Sequence, residues 1–194
     1  MYEIPTTLFD LFKFSKQLDL KNGKIALMDT PVNLIPTSIL CEYQKTLIKT
    51  LGLEKAYEII YENSKTGSIK YNTSFIKKLG LNDIRKIIDW QTKIVALSGW
   101  GEIDIAMIDP KEKSFVAHFR ESSYAESYGK EKYAVDFIVT GFVAGGLTAA
   151  TGIDLDAVET KCESMGDQFC EIEVGRRSSM ANKRFDLLKK WGII

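Results

Sequence analysis

V-D-F-I-V-T-G-F-V-A-G-G-L-T-A-A-T-G-I-D-L-D-A-V-E-T-K-C-E-S-M-G-D-Q-F-C-E-I-E-V, Val135 to Val174, is the stretch whose reading decides the fold. Between Asp136 and Asp154 it carries no charge, and Tyr133 to Thr151 reads as the most apolar helix of the chain. Gly141, Gly145 and Ala149 recur one turn apart on it, so a neighbouring backbone or a ligand can approach that stripe closely. Gly152 and Asp154 end the helix. Val158 to Met165 and Phe169 to Val174 then read as a hairpin closed at Gly166-Asp167.

That hairpin holds Cys162 and Cys170, two of the three cysteines, with Glu159 three residues before the first. Two thiols facing each other across a tight turn, with a carboxylate nearby, are donors suited to zinc. A regular strand would turn Glu159 to the face opposite Cys162, so it joins the group only if the chain bends there. Spacing alone leaves alternatives open: half-buried thiols, a disulfide, or a solvated Glu159.

Upstream, Ile103, Ile105 and Met107 alternate with polar or small residues, and Phe115, Ala117 and Phe119 do so again after a turn at Asp109 to Glu112. This predicts a hairpin with one buried face. Ser122 to Lys132 is polar and reads as a loop, a flap over a site. Three helices precede the hairpin. The first has Thr37 as its cap and Ile39, Leu40, Tyr43, Leu47 and Leu51 at helical spacing. The second starts near Leu53, with Lys65-Thr66-Gly67 breaking or weakening it. The third is capped at Asn82-Asp83 and runs to Gly99. Residues 1–36 read as a β-rich N-terminal segment: Leu8 to Phe14 suits a strand or a helical turn, and Ile25 to Met28 and Val32 to Ile35 suit strands, with a turn at Asn22-Gly23. Met180 to Trp191 is a terminal amphipathic helix. Strands next to each other in sequence and segregated helices predict an α+β fold, an antiparallel sheet with helices packed on it.

A chain of 194 residues, 45% hydrophobic and 27% charged, has the composition of an ordinary globular protein. Lys plus Arg equals Asp plus Glu at 26 each, so no net field draws it to nucleic acid or to an anionic membrane. The longest apolar run, Phe137 to Ala150, falls short of the roughly 20 residues of a membrane span. Three cysteines make no secreted disulfide framework, and no signal peptide is read at the N-terminus. The expectation is a cytoplasmic protein.

The opening stretch closely resembles the 4-vinyl reductase domain. Gly141, Gly145, Gly152, Glu159, Cys162, Gly166, Asp167 and Cys170 match that family's motif in order and spacing, and the specific part covers residues 133–174. The resemblance implies a domain over residues 37–194 of the nitric-oxide-signalling and Golgi-transport ligand-binding fold, whose members enclose apolar ligands or dimerise. In aromatic-sensing transcriptional activators with this domain, the equivalent Glu and two Cys bind a structural zinc together with a further Cys. The position of that further Cys falls here at Asp136. The resemblance thus implies a metal set of Asp136, Glu159, Cys162 and Cys170, with Cys41 or His118 as substitutes for the departing position. A carboxylate there makes the site weaker and more pH-sensitive than a third thiolate would.

An aromatic-rich wall around the glycine-striped helix suits a flat hydrophobic ligand, and Trp100, Phe119, Tyr124, Phe137, Gly141, Phe142 and Gly145 are the candidates to line it. Taken singly, each of these aromatics is better explained as core. Reductase chemistry finds little support in the residues. G-F-V-A-G-G lies inside a helix and is not a dinucleotide fingerprint, and His118, the only histidine, sits on an alternating strand. The expectation is therefore an apolar small-molecule binding or sensing domain with structural zinc. A homodimeric assembly module built on the amphipathic helices is the alternative, and a tetrapyrrole vinyl reductase component is a weaker one.

Overall fold

A computed structural model describes residues 18–192, and the expected element at Leu8 to Phe14 lies outside them. The described chain begins with a three-stranded antiparallel meander, β1 (Leu18–Lys21), β2 (Lys24–Leu27) and β3 (Thr30–Val32). Asn22 and Gly23 both take positive φ, the geometry of the two-residue turn that matches strand twist. β3 ends at Val32, where the expected strand Val32 to Ile35 begins, so residues 33–35 are not strand. Lys78, near the end of the second helix, donates to the Met28 carbonyl and lies 3.3 Å from Asp29, which anchors the meander's second turn.

Helix α1 (Thr37–Leu51) has Pro36 at its cap, with no side-chain cap bond; Thr37 is its first residue and not its cap. Its inward side follows the apolar spacing only in part: Leu40 and Leu47 pack against the core. Ile39 and Tyr43 are exposed, while Cys41 and Gln44 are buried. Gln44 tolerates this because its amide is paired at both ends: Nε2 donates to the Val135 carbonyl at 2.9 Å and Oε1 accepts from the Tyr124 hydroxyl at 2.9 Å. Helix α2 (Leu53–Leu79) runs straight through Lys65-Thr66-Gly67 with no break. Helix α3 (Ile84–Leu97) starts as expected, with the Asp83 carboxylate accepting from the backbone of Arg85 and Lys86.

β4 (Glu102–Asp109) and β5 (Ser114–Arg120) form the first hairpin. Ser122 to Lys132 is not a simple loop. Its Ser122 hydroxyl accepts from Ala125 N and caps the short helix α4 (Ser123–Tyr128), which buries Tyr124 and Tyr128. Those two aromatics make it core, not flap. Helix α5 (Phe137–Thr151) begins four residues later than expected and is followed by β6 (Leu155–Lys161), a 3₁₀ turn at Glu163–Met165, β7 (Cys170–Arg176) and α6 (Arg177–Lys190). The four long strands form one antiparallel sheet in the order β4-β5-β7-β6. One face of it, with Ile103, Phe115, Ala117, Phe119, Ile172 and Val174, is buried. The architecture is α+β with an antiparallel sheet, as the element order requires.

Helices α2 and α5 form the central contact. A Cβ on Gly141 would lie 2.5 Å from the Tyr61 carbonyl oxygen, and one on Gly145 would lie 2.4 Å from that of Lys65. Ser64 and Ser68 donate to the Ile138 and Phe142 carbonyls at 2.6 and 2.7 Å across the same seam. The glycine stripe therefore seats a backbone, not a ligand. This close contact also explains why Gly67 leaves α2 intact: tertiary packing outweighs a helix-propensity cost of about 1 kcal/mol.

Candidate functional site

The hairpin of β6 and β7 solves the facing problem of Glu159 with a bulge. Register shifts between Glu159 and Lys161, so Thr160 is the extra residue. One inserted residue exchanges the two faces of a strand, which lets Glu159 and Cys162 point the same way. The chain then makes a 3₁₀ turn in which Met165 N and Asp167 N both donate to the Cys162 carbonyl, and Gly166 takes φ 95°. Asp167 returns its carboxylate to Cys162 N at 2.9 Å, which explains the Gly-Asp pair of the motif. Cys170 follows as the first residue of β7.

Asp136 comes from the other side, at the N-terminal end of α5. The Ser122 hydroxyl lies 3.1 and 3.2 Å from its two carboxylate oxygens, and its backbone N–H donates to Glu159 Oε2 at 3.0 Å. One ligand atom from each of Asp136, Glu159, Cys162 and Cys170 lies within 4.8 Å of all the others, and all four residues are buried. Glu159 Oε1 is buried with no hydrogen-bond partner among the described residues.

Four acids in so small a buried volume cannot all ionise unaided. Burial, and then the charge of Cys162, push the Asp136 carboxyl up to about 7. Burial, Cys162 and Asp136 hold Glu159 well above the usual carboxylate range. The hydrogen bond donated by Cys170 lowers the Cys162 thiol to about 6, and the same bond, with burial, raises the Cys170 thiol. The two sulfurs lie 3.8 Å apart, far beyond a disulfide. That separation is also the edge of a tetrahedron with arms of about 2.3 Å, the zinc–thiolate distance. A 3.3 Å bond from Glu163 N to Cys170 Sγ favours the thiolate form. The donor set, its spacing and the orphaned Glu159 oxygen thus fit a four-coordinate divalent ion of zinc type.

Neither substitute ligand belongs to the group. His118 pairs in register with Glu171, while its neighbour Phe119 pairs with Cys170, so His118 lies on the opposite face of the sheet. Its imidazole sits 3.4 Å from Glu171 and 4.0 Å from Asp104. Cys41 directs its sulfur to the Tyr124 carbonyl at 3.7 Å.

A second feature, a cavity of about 380 Å³, lies between the meander, α2, α3 and the next face of α5. Of the expected wall residues, Trp100 and Phe142 line it. Phe119, Tyr124, Phe137, Gly141 and Gly145 do not. Phe119 is core beside Cys170, the Tyr124 hydroxyl is engaged by Gln44, and Phe137 packs edge-on against Tyr57. The wall is completed by Leu18, Ile25, Leu27 and Val32 of the meander, by Tyr71 of α2, by Ile94 and Val95 of α3, and by Ile138, Val139 and Val143 of α5. Ile138, Val139, Phe142 and Val143 recur at helical spacing, which marked a face distinct from the glycine stripe. The contribution of the meander had no such signal, because short alternating strands do not reveal what they cover.

A buried ion pair joins α2 to the start of β6. Lys65 Nζ lies 2.6 Å from Asp156 and 2.8 Å from Asp154, and the Tyr61 hydroxyl donates to Asp156 while accepting from Ala157 N. None of the helices in the described residues is long and apolar enough to cross a membrane.

Residues 115–176, less than half of the chain, match the family model of the 4-vinyl reductase domain, and this is the segment that contains the hairpin, α5 and the four acids. The structure is similar to the phenol-responsive sensory domain of the transcription activator PoxR solved with phenol. The TM-score is 0.77 at 17% identity, covering 90% of this chain and 92% of that one. It is also similar to a vinyl-4-reductase family protein from Methanocaldococcus jannaschii, with a TM-score of 0.50 at 16% identity over 74% of this chain and 82% of that one. These likenesses are of fold. No curated protein sequence matches the chain.

Proposed function

We propose that this chain, with its 4-vinyl reductase domain match over residues 115–176, binds an apolar small molecule in the cavity beside α5 and is held in shape by a structural zinc ion. The observation that carries the reading is a shared element. Helix α5 walls a cavity of about 380 Å³ with Ile138, Val139, Phe142 and Val143, and Asp136 at its N-terminal end belongs to the four-acid cluster. A cavity of this size, concave and mostly apolar, is of the kind that takes small ligands. The phenol-responsive role of the PoxR domain supports a sensing use of the same fold. Asp136, Glu159, Cys162 and Cys170 would hold the zinc, whose chemistry here is to offset the charge of the four buried acids and tie the α5 start to the β6–β7 hairpin. Tyr71 is the one titratable side chain lining the cavity among the described residues, which suits binding better than acid–base catalysis.

Native mass spectrometry with metal analysis of the purified chain tests both parts. One zinc per chain and a co-purifying apolar mass are expected. A chain with neither, whose Cys162→Ser variant is indistinguishable from it, overturns the reading.

A second reading, a homodimeric assembly module, rests on an exposed apolar run. Leu34, Ile35, Ile39 and Tyr43 are 88, 51, 57 and 62% exposed along the entry to α1 and its outer face. Sedimentation tests it: a dimer that Ile39→Asp with Tyr43→Asp converts to monomer supports it, and a monomeric parent chain removes it.

A further inference from the structure

The make-up of the cavity wall narrows the ligand class, and this step rests on the binding function proposed above. The wall is mostly Leu, Ile and Val, and among the described residues only Tyr71, Phe142 and Trp100 bring rings to it. Many of its aliphatic side chains are β-branched, including Val32, Ile94, Ile138 and Val143. Such side chains are stiff and present a knobbed surface in place of the flat faces on which aromatic rings stack or meet edge to face. Volume points the same way. A cavity of roughly 150 Å³ suffices for benzene, so about 380 Å³ is more than twice the space a single aromatic ring needs. At the same filling it takes about fifteen carbons.

Charge is the second restriction. No Asp, Glu, Lys, Arg or His lines the cavity among the described residues, so a carboxylate or ammonium group inside it would be buried without a partner. The polar groups available are the hydroxyls of Tyr71 and Ser98, the Trp100 indole N–H and the Asn33 amide at the exposed rim. None of the first three makes a side-chain hydrogen bond to another described residue. Burial also pushes the Tyr71 phenol up to about 12, so it stays a neutral donor at physiological pH.

We infer that the cavity takes a neutral, non-planar hydrocarbon of about ten to fifteen carbons bearing one hydroxyl or carbonyl oxygen, an aliphatic or isoprenoid alcohol or ketone, in preference to a phenol or a fatty-acid anion. The oxygen is met by Tyr71, Ser98 or Trp100, and the hydrocarbon by the aliphatic wall.

Titration calorimetry and tryptophan fluorescence with four probes (1-decanol, farnesol, phenol and decanoate at pH 8) test this on the whole chain. Decanol or farnesol is expected to bind at one per chain and at least tenfold more tightly than phenol or decanoate; the order of those two separates straight-chain from isoprenoid sources. Val143→Trp, and independently Val32→Trp from the opposite wall, should weaken that binding at least tenfold with metal content unchanged. Tyr71→Phe should weaken decanol severalfold and leave decane unaffected. Phenol binding as tightly as decanol would overturn the aliphatic class and leave the binding function standing. Decanoate binding more tightly than decanol would overturn neutrality. If no probe binds, or if both tryptophan variants bind as the parent does, the inference falls together with the cavity reading.

Discussion

Asp136 donates its backbone N–H to Glu159 Oε2 at 3.0 Å, so the start of α5 is fastened to β6 by two residues whose carboxylates also belong to the four-acid cluster. The bond occupies one Glu159 oxygen and leaves the other buried and without a partner among the described residues. An orphaned buried carboxylate oxygen costs a few kcal/mol unless something satisfies it, and a cation does so most directly.

With zinc held as proposed, loss of a ligand should release it. Cys162→Ser and Glu159→Ala are expected to leave the purified chain with little or no zinc and a lower melting temperature. Ser122→Ala removes a hydroxyl that holds Asp136 and not a ligand, so its zinc affinity should fall about tenfold to a hundredfold. Competition with a chromogenic chelator measures all three.

The metal-free protein should respond to pH in the sense opposite to ordinary acid denaturation. Asp136 is raised from 3.8 to about 7 by folding, so between these values the native state holds a proton that the unfolded chain has released. Its contribution to stability is present below pH 3.8 and is lost as pH rises to about 7. The raised Glu159 carboxyl acts in the same sense, and the lowered Cys162 thiol, which gains stability above about 6, offsets one of the two. Zinc reverses the sign, because bound carboxylates and thiolates must be deprotonated. Melting curves at pH 5 and pH 8 should show chelator-treated protein favoured at the lower value and zinc-loaded protein at the higher.

The glycine seam between α2 and α5 should be intolerant of one methyl group. Gly145→Ala places a Cβ against the Lys65 backbone oxygen and Ser68, atoms that cannot yield without moving a helix. A loss of about 3 kcal/mol or more is expected by chemical denaturation. At Gly146 the neighbour is the Gln91 side-chain amide at 3.3 Å, which can shift by a few tenths of an ångström. Gly146→Ala should come within about 1 kcal/mol of the parent, helped by alanine's better helix propensity.

Removing one side of the buried ion pair should cost more than removing both. Lys65 and Asp156 are nearly inaccessible, so Lys65→Met leaves the Asp156 carboxylate with the Tyr61 hydroxyl and the more distant Arg177 guanidinium at 3.8 Å, and is expected to lose about 3 kcal/mol. The double change Lys65→Met with Asp156→Leu should recover part of that, as read by a double-mutant cycle on urea midpoints.

Much of the fold was legible because its strongest patterns are local. The Asp83 cap, the Asn22-Gly23 turn, the switch to period two at Ile103 and the apolar run from Phe137 each state their own geometry through capping, turn chemistry or side-chain alternation. The expectations that failed were those in which a distant partner overrode the local signal. Ile39 and Tyr43 have core-like spacing, but Gln44 is buried because Val135 and Tyr124 complete its amide. Gly67 has the propensity of a break, but the α5 glycines hold α2 straight across it.

By itself the sequence determined an α+β chain, the hairpin around Cys162 and Cys170, and three donors worth placing together, Glu159 and the two thiols, because spacing, turn residues and donor chemistry are properties of short segments. Asp136 entered only through the resemblance to the 4-vinyl reductase domain. Only the tertiary structure decided that a bulge at Thr160 brings Glu159 to the Cys162 side, that Asp136 and neither Cys41 nor His118 joins them, and that the glycine stripe seats α2 while the neighbouring face of α5 lines the cavity. Those are relations between segments distant in sequence, set by how backbones approach and which faces remain to be covered. A linear pattern carries no record of that choice until the chain has closed on itself.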